Sequence, residues 1–424
     1  MKPILCLLIT ILCLAAHPLF AQDIPRVRQT IDTLTGPYFH GRGYIFEGDA
    51  RAATYIQDRF TQAGLKPIGE SYFQEFTMPV NRVTESPELT INGRNLTPGT
   101  DFVASANTAS GKGKASIVYL DTLVFNNAAT AQKFFSQDFR KKAIVYPQNF
   151  RKQVQELPAP YLQKILSAKL HIILQPKELL TTVAASPAPV PILEVKKTAW
   201  PADAKKIKYK ITTHHEPTYK TRNVIGFIPG TTQPDSFIIF TAHYDHLGGQ
   251  GKAVYFPGAN DNASGTAMLL ELAEHYSKPE NKPKYSIAFI TFAAEEAGLL
   301  GSLHYTQNPL SPLQQIRFLV NLDLLGTGDD GMMVVNGSIH PTEFELLKSI
   351  NSKYNYLPQL KMRGRAANSD HYPFSERGVP AFFFYTLGGT TAYHNTQDKS
   401  QQLPLTKFRE VFKLITDFAA DLQL

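Results

Sequence analysis

The sequence predicts a three-layer α/β sandwich with a mostly parallel central sheet, interrupted by an inserted β-rich domain. Three observations predict it. From Arg222 onward strand-like and helix-like segments alternate, the pattern of a sheet with helices on its faces. The runs FIIF, IAFITF and AFFFY are almost continuously apolar, as strands covered on both faces must be. Between residues 85 and 219 the texture changes to short β-type runs broken by prolines at 158, 160, 187, 189, 191 and 201.

Taken in order, residues 1–21 read as a signal peptide. MKPILCLLITILCLAAHPLFAQ places one lysine before an apolar run and ends on Leu-Phe-Ala ahead of Gln22, an A-x-A-like cleavage site. A membrane anchor competes, because the run approaches the length that spans a bilayer; Pro18 and the small-residue site favour cleavage. The expected location is secreted or periplasmic. Cys6 and Cys13 both lie in this segment, and neither follows a small residue as a lipid-attachment cysteine would. A mature chain would then lack cysteine, so its stability must come from a buried core and bound metal.

Helices follow at 25–35 and 47–64; in the second, Ala52, Ala53, Ile56, Phe60 and Leu65 recur near helical spacing and Gly64 supplies the stop. The runs ELTI, SIVYL, KAIVYP, LHIIL, VPILEV and KIKYKIT, with a helix or two, make the inserted module at 85–219. NVIGFIPG, SFIIFTA, a helix at 263–276, YSIAFITFA, a helix near 300–307, IRFLVNLD, a helix at 342–354, VPAFFFYT and a closing helix at 405–421 complete the chain. The expected division is one domain from 22–84 and 220–424, and a second at 85–219.

A length of 424 residues suits two domains, and 43% hydrophobic residues describe a globular chain. The net charge of +7 is spread as single lysines and pairs. Its densest cluster, AKKIKYK at 204–210, reads as a solvated strand face, not the clustered footprint of a nucleic-acid binder. Nucleic acid and, after signal cleavage, membrane are therefore not expected partners. There is no internal repeat.

The chemistry gathers where ligands bind in such sheets, beyond the carboxyl ends of the strands. FIIFTA runs into His243-Tyr244-Asp245, IAFITFAA into Glu295-Glu296, and IRFLVNL into Asp323. The segment 258–265, GANDNASG, opens a helix, and Tyr393-His394-Asn395 follows the last strand. Singly, each has an ordinary explanation: Asp261 as a helix N-cap, Glu295-Glu296 as a solvated turn, His394 as a surface residue. Asp323 is harder to dismiss, since a carboxylate beside an apolar strand is costly unless paired or metal-bound. All these explanations would have to hold at one edge of one sheet.

Two histidines and three carboxylates suit zinc, which takes imidazole nitrogen and carboxylate oxygen at about 2.0–2.2 Å. If Asp261 bridges two ions, His243 and Asp323 complete three ligands on one while Glu296 and His394 complete three on the other. Three ligands and an open position make a catalytic zinc, and a bridging hydroxide would neutralise the cluster. Glu295, pointing away from its neighbour, could face that water and serve as general base, then acid.

TRNVIGFIPG, TAHYDHLGG, PGANDNASGTAMLLELA, FAAEEAGLLGS, NLDLLGTG, SDHYPF and YHNTQD, in this order, resemble the secreted zinc aminopeptidases of the di-zinc exopeptidase clan. That family, peptidase family twenty-eight of clan MH, includes bacterial leucine aminopeptidases and, more distantly, carboxypeptidase Q and glutamate carboxypeptidase. The resemblance covers roughly 222–400 and, more weakly, 25–75. It implies a zinc peptidase domain acting on peptide N-termini with two Zn²⁺ held by His243, Asp261, Glu296, Asp323 and His394. It implies Glu295 as base, Asp245 as the carboxylate orienting His243, and Tyr393 as hydroxyl donor to the developing oxyanion. Asp370 would stand behind the ligands, and the roles of His246 and His371 stay open. The insert at 85–219 is similar in position and strand pattern to a protease-associated domain. Rival readings are a single-zinc glutaminyl cyclase or a di-zinc carboxypeptidase on the same fold, and a receptor-like relative without chemistry.

Overall fold

The computed structural model describes residues 23–423, so the expected signal peptide lies outside the described residues. Helix α1 (Ile24–Leu34) is capped by the Asp23 carboxylate, which accepts from the Arg26 amide, and has proline in its first turn. It buries Val27, Ile31 and Leu34, while α2 (Gly48–Gln62) buries Ala52, Ala53, Ile56 and Phe60. Both pack on the central sheet's core.

Eight strands build that sheet: β1 (Phe73–Val83), β2 (Thr213–Ile228), β3 (Gln233–His243), β4 (Tyr285–Phe292), β5 (Ile316–Leu322), β6 (Met332–Val335), β7 (Leu360–Arg363) and β8 (Ala381–Thr386). Their spatial order is β1-β2-β4-β3-β5-β8-β6-β7. The four central strands β4, β3, β5 and β8 are mutually parallel. On one flank β2 and β1 run antiparallel, and on the other β6 is antiparallel to β8. Phe240 stands level with Phe289 and Val320, and Val320 with Phe382, so the parallel strands finish at one edge. Helices α3 (Gly265–Ser277), α5 (Pro341–Tyr354) and α7 (Phe408–Asp421) join α1 and α2 on one face; α4 (Leu300–Gln307) and α6 (His371–Ser375) cover the other. This is the sandwich, with the apolar strands between two helical layers.

A second eight-stranded sheet takes the runs of the insert. In spatial order it comprises Arg94–Asn95, Glu88–Ile91, Lys206–Ile211, Gly111–Tyr119, Lys142–Pro147, Leu170–Gln175, Ile192–Lys196 and Phe102–Ala104. Three helices, Ala128–Phe135, Arg151–Gln155 and Ala159–Leu166, lie in this stretch, one more than the sequence suggests. The basic run alternates as a strand should: Lys206 and Lys208 are exposed while Ile207, Tyr209 and Ile211 are buried. The boundary expected at 219/220 falls inside β2, which begins at Thr213 and pairs with β1 from Val83 onward. The two sheets therefore exchange the chain near 84 and 212. Among the described residues no helix is long and apolar enough to cross a membrane.

Candidate metal centre and active site

His243 ends β3, and its neighbour Tyr244 is fully buried with its amide bound to the Phe292 carbonyl. Gly258 opens the next segment at φ 62°, and a Cβ there would meet the Asp261 carbonyl oxygen at 2.3 Å and His246 Cδ2 at 2.4 Å. Asp261 does not cap α3. The helix begins at Gly265, whose amide is taken by the Asn262 side chain at 2.9 Å. Asn262 Oδ1 also accepts from the Leu324 amide, its Nδ2 donates to the Leu322 carbonyl, and Asn260 Oδ1 accepts from the Gly326 amide. These bonds lace the 258–265 segment to the loop after β5, which sets Asp261 beside Asp323.

The turn after β4 is built with equal care. Ala294 takes φ 59°; its amide donates to Tyr44 Oη at 2.9 Å, and the Glu295 amide donates to Asp245 Oδ1 at 3.2 Å. Tyr44 Oη donates in turn to Asp245 Oδ2 at 2.7 Å. Glu295 and Glu296 leave this turn in different directions. Glu295 lines a cavity of about 200 Å³ with His243, Asp261, Asp323, Tyr393 and His394, while Glu296 lies behind it.

Asp261 presents one oxygen to each histidine. Oδ1 is 3.3 Å from His243 Nε2 and Oδ2 is 3.0 Å from His394 Nε2. The outer carboxylates repeat the pattern, with Asp323 Oδ1 at 3.4 Å from His243 Nε2 and Glu296 Oε2 at 3.2 Å from His394 Nε2. Asp323 Oδ1 has no hydrogen-bond partner among the described residues, whereas its Oδ2 accepts from Ser369 Oγ at 3.1 Å. An orphaned buried carboxylate oxygen aimed at a histidine nitrogen is what a metal ligand looks like, because protein hydrogen bonds otherwise satisfy such atoms. Nitrogen and carboxylate donors in two triads sharing Asp261 fit zinc. Ligand-capable atoms of His243, Glu295 and Asp323, and of His246, Asp261 and Glu296, also cluster within 4.8 Å. Asp261 stands between the two groups, its two oxygens pointing at different histidines.

The electrostatics follow from burial and crowding. Burial alone would push the His243 ring down, but Asp323 and Glu295, with Asp245 and Asp261, outweigh it and hold its pKa well above the ordinary value. Burial likewise opposes the charged form of His394, yet Asp261 and Glu296 raise it to about 10. Burial, reinforced by Glu296, Asp370 and Asp323 and opposed by His243, lifts Glu295 well above the usual carboxylate range. Burial and the surrounding carboxylates also hold the Tyr393 phenol protonated. Its ring stacks on His394 at 3.8 Å and is half exposed at the mouth of the cavity.

One expectation changes, and one open role is filled. The Asp245 carboxylate lies 3.7 Å from His243 Nδ1, outside hydrogen-bond reach; the ring donates instead to the Asp245 backbone carbonyl at 3.1 Å. The carboxylate's bonds go to Tyr44 and the Glu295 amide, so it shapes the glutamate turn. His371 is buried against Phe383, and burial lowers it to about 4, a neutral packing residue away from the cavity. Asp370 is buried beside the cluster, and burial, opposed by His243, raises it to about 7.

Three supports escaped sequence reasoning. Asp398 accepts from the Asn260 and Asp261 amides at 2.9 and 3.0 Å. Fully buried Arg42 donates to the carbonyls of Leu34, Tyr244, Pro257, Gly258 and Asp261, and burial lowers it to about 10. His246 Nδ1 donates to Glu296 Oε1 at 2.7 Å. Asp398 and His246 stand inside the quoted motifs YHNTQD and TAHYDHLGG, which was their only signal; Arg42 had none.

Comparison with known proteins supplies the wider frame. Residues 223–419 match Peptidase family M28. Aminopeptidase YwaD of Bacillus subtilis is 26% identical over 342 residues, 77% of this chain and 72% of that protein. Leucine aminopeptidase 1 of Leptosphaeria maculans is 29% identical over 226 residues, 50% of this chain and 57% of that protein. The aligned part thus spans between about half and three quarters of these relatives. Among solved structures, BSAP, a zinc aminopeptidase from Bacillus subtilis, superposes with a TM-score of 0.69 over 94% of both chains at 22% identity, which establishes the shared fold.

Proposed function

The chain belongs to peptidase family M28, and from that premise we propose that it is a two-zinc aminopeptidase cutting the N-terminal peptide bond of peptides. One observation carries the choice of peptide end. The cavity is lined by Asp261, Glu295 and Asp323 with His243, His394, Leu324, Asn368, Phe383, Tyr385 and Tyr393, and neither lysine nor arginine is among them. An acidic wall of this kind favours an α-ammonium group, whereas a C-terminal carboxylate would need a cationic fork. Arg365, the nearest such candidate in sequence, is paired with Glu376 at 3.1 Å and more than half exposed. The relatives' names, aminopeptidase in each case, support the same reading.

His243, Asp261 and Asp323 would hold one zinc, and Asp261, Glu296 and His394 the other. When bound, zinc supplies Lewis-acid polarisation of the scissile carbonyl and lowers the pKa of water. The chain does the rest. Glu295 reaches the cavity with no side-chain donor satisfying it, takes a proton from the attacking water and hands it to the leaving amine. Its raised pKa suits both halves of that exchange. Tyr393 Oη donates to the carbonyl oxygen as negative charge develops there. Asp245 keeps Glu295 in place by accepting its amide. The apolar leader at 1–21 supports secretion.

The test compares an unblocked aminoacyl peptide with its N-acetylated and C-amidated counterparts, alongside elemental analysis. Acetylation should abolish cleavage, amidation should leave it nearly unchanged, and zinc should approach two per chain. Loss of activity on amidation with tolerance of acetylation would make it a carboxypeptidase.

A further inference from the structure

We infer that His246 decides which of the two adjacent glutamates serves as the metal ligand and which stays free as the base. Resting on the ligand reading above, the inference adds a residue that neither touches the cavity nor binds an ion in that scheme. Glu295 and Glu296 are chemically identical and consecutive, so their different tasks must come from their surroundings.

Glu296 is held at both oxygens. Oε1 accepts from His246 Nδ1 at 2.7 Å, while Oε2 is left facing His394 Nε2 at 3.2 Å. The side chain is nearly sealed from solvent and His246 is completely so. With Oε1 committed to a short hydrogen bond, the carboxylate offers a single oxygen toward the ion shared with Asp261. Glu295 accepts no side-chain hydrogen bond among the described residues and borders the cavity.

His246 is itself placed by elements outside this pair. Its amide donates to the Arg42 carbonyl at 3.3 Å, its ring meets His394 edge-on at 5.9 Å between centroids, and Gly258 gives it the room that any Cβ would take. Its Nε2 has no hydrogen-bond partner among the described residues, so Glu296 receives the ring's one side-chain hydrogen bond. A completely buried imidazole kept for a single polar contact marks that contact as its purpose. Without it, Glu296 would lose its orienting donor and compete with Glu295 on equal terms.

The test measures zinc stoichiometry and the affinity of each ion by chelator competition in full-length protein. His246→Ala should weaken one ion by about 10- to 100-fold, the usual cost of losing a group that orients a ligand, and leave the other unchanged. His246→Asn, whose amide nitrogen can take the place of Nδ1, should recover most of the loss, which a merely space-filling role would not allow. If the alanine variant fails to fold, His246→Phe fills the volume without a donor and should show the same weakening. Glu296→Ala should lose the same ion, and adding His246→Ala to it should cost nothing further. Unchanged affinities in His246→Ala or His246→Phe, with one ion lost from Glu296→Ala, would overturn the inference. Both ions retained in Glu296→Ala would instead overturn the ligand reading beneath it.

Discussion

The two sheets have eight strands each, and each contains a run of parallel strands, yet their buried carboxylates meet different fates. In the insert, Glu194 in the middle of the strand Ile192–Lys196 is only 6% exposed and fully answered: Arg151 donates to Oε1 at 3.0 Å and Gln175 to Oε2 at 2.5 Å. Arg151 also reaches Ser105 Oγ at 3.2 Å. In the central sheet the carboxylates of Asp261, Glu296 and Asp323 converge on two histidines, and Asp323 Oδ1 keeps no hydrogen-bond partner among the described residues. A buried charge closed by its own counter-charge and amide is structural. Buried charges of one sign that converge on shared points, with too little cation nearby, are a site for a cation.

Removing the residue common to both triads should break the central sheet's side of the comparison most severely. Asp261→Ala should lose both zinc ions and lower turnover by more than the 10- to 100-fold typical of residues behind the ligands. Elemental analysis and hydrolysis of an aminoacyl substrate check this together, and normal zinc content would remove Asp261 from the shared position. Chelators should lower the wild-type melting temperature, because metal held only by the folded state stabilises it.

Glu295→Gln should separate chemistry from binding within the same cluster. The amide keeps the shape and takes away the base, so zinc content should be unchanged while kcat falls by about 100- to 10,000-fold. Metal loss comparable to that of Glu296→Ala would mean that the two glutamates have been assigned the wrong way round.

The insert provides the contrasting result. Glu194→Ala takes the carboxylate from Arg151 and Gln175, leaving them only the longer bonds to Ser105 Oγ at 3.2 Å and Gln148 Oε1 at 3.3 Å, and should lower unfolding stability by roughly 1–3 kcal/mol. Its zinc content and kcat should match the wild type, measured beside a urea unfolding curve. A changed zinc content would show that the second sheet takes part in the metal site.

Much of this division was legible from local pattern. Continuous apolar runs announced the central strands because helices cover both faces, and the polar residues immediately after them were conspicuous for that reason. The short strands β6 and β7 passed unnoticed; Leu360–Arg363 is mostly exposed and has no apolar run to mark it. What sequence could not supply was contact across long separations. Arg42 looks like a loop charge after Gly41, yet it gathers carbonyls more than 200 residues away into the scaffold of Asp261. Tyr44 reaches the glutamate turn across 250 residues. The boundary near 219 was misplaced because β2 reads as one polar-to-apolar strand, and only its pairing with β1 shows that both halves belong to the central sheet.

The smallest expected effect lies where the two regions touch. His394 holds φ 52°, a left-handed conformation that a residue with a Cβ adopts only when its surroundings impose it. Its carbonyl accepts from the Thr181 amide at 3.1 Å, and two residues on Thr396 Oγ1 donates to the Gly99 carbonyl at 3.2 Å. Thr181 and Gly99 both belong to loops of the insert, so that module grips the loop carrying His394. Thr181→Pro removes the donating N–H; Thr181→Ala keeps it and serves as control. The proline variant should weaken the ion facing His394 by about fivefold, the worth of one neutral hydrogen bond of about 1 kcal/mol, and leave the ion facing His243 unchanged. Chelator competition resolves the two ions. Equal weakening in the alanine variant would assign the effect to the threonine side chain, and no weakening in either would mean that the ligand loop holds its shape without the insert.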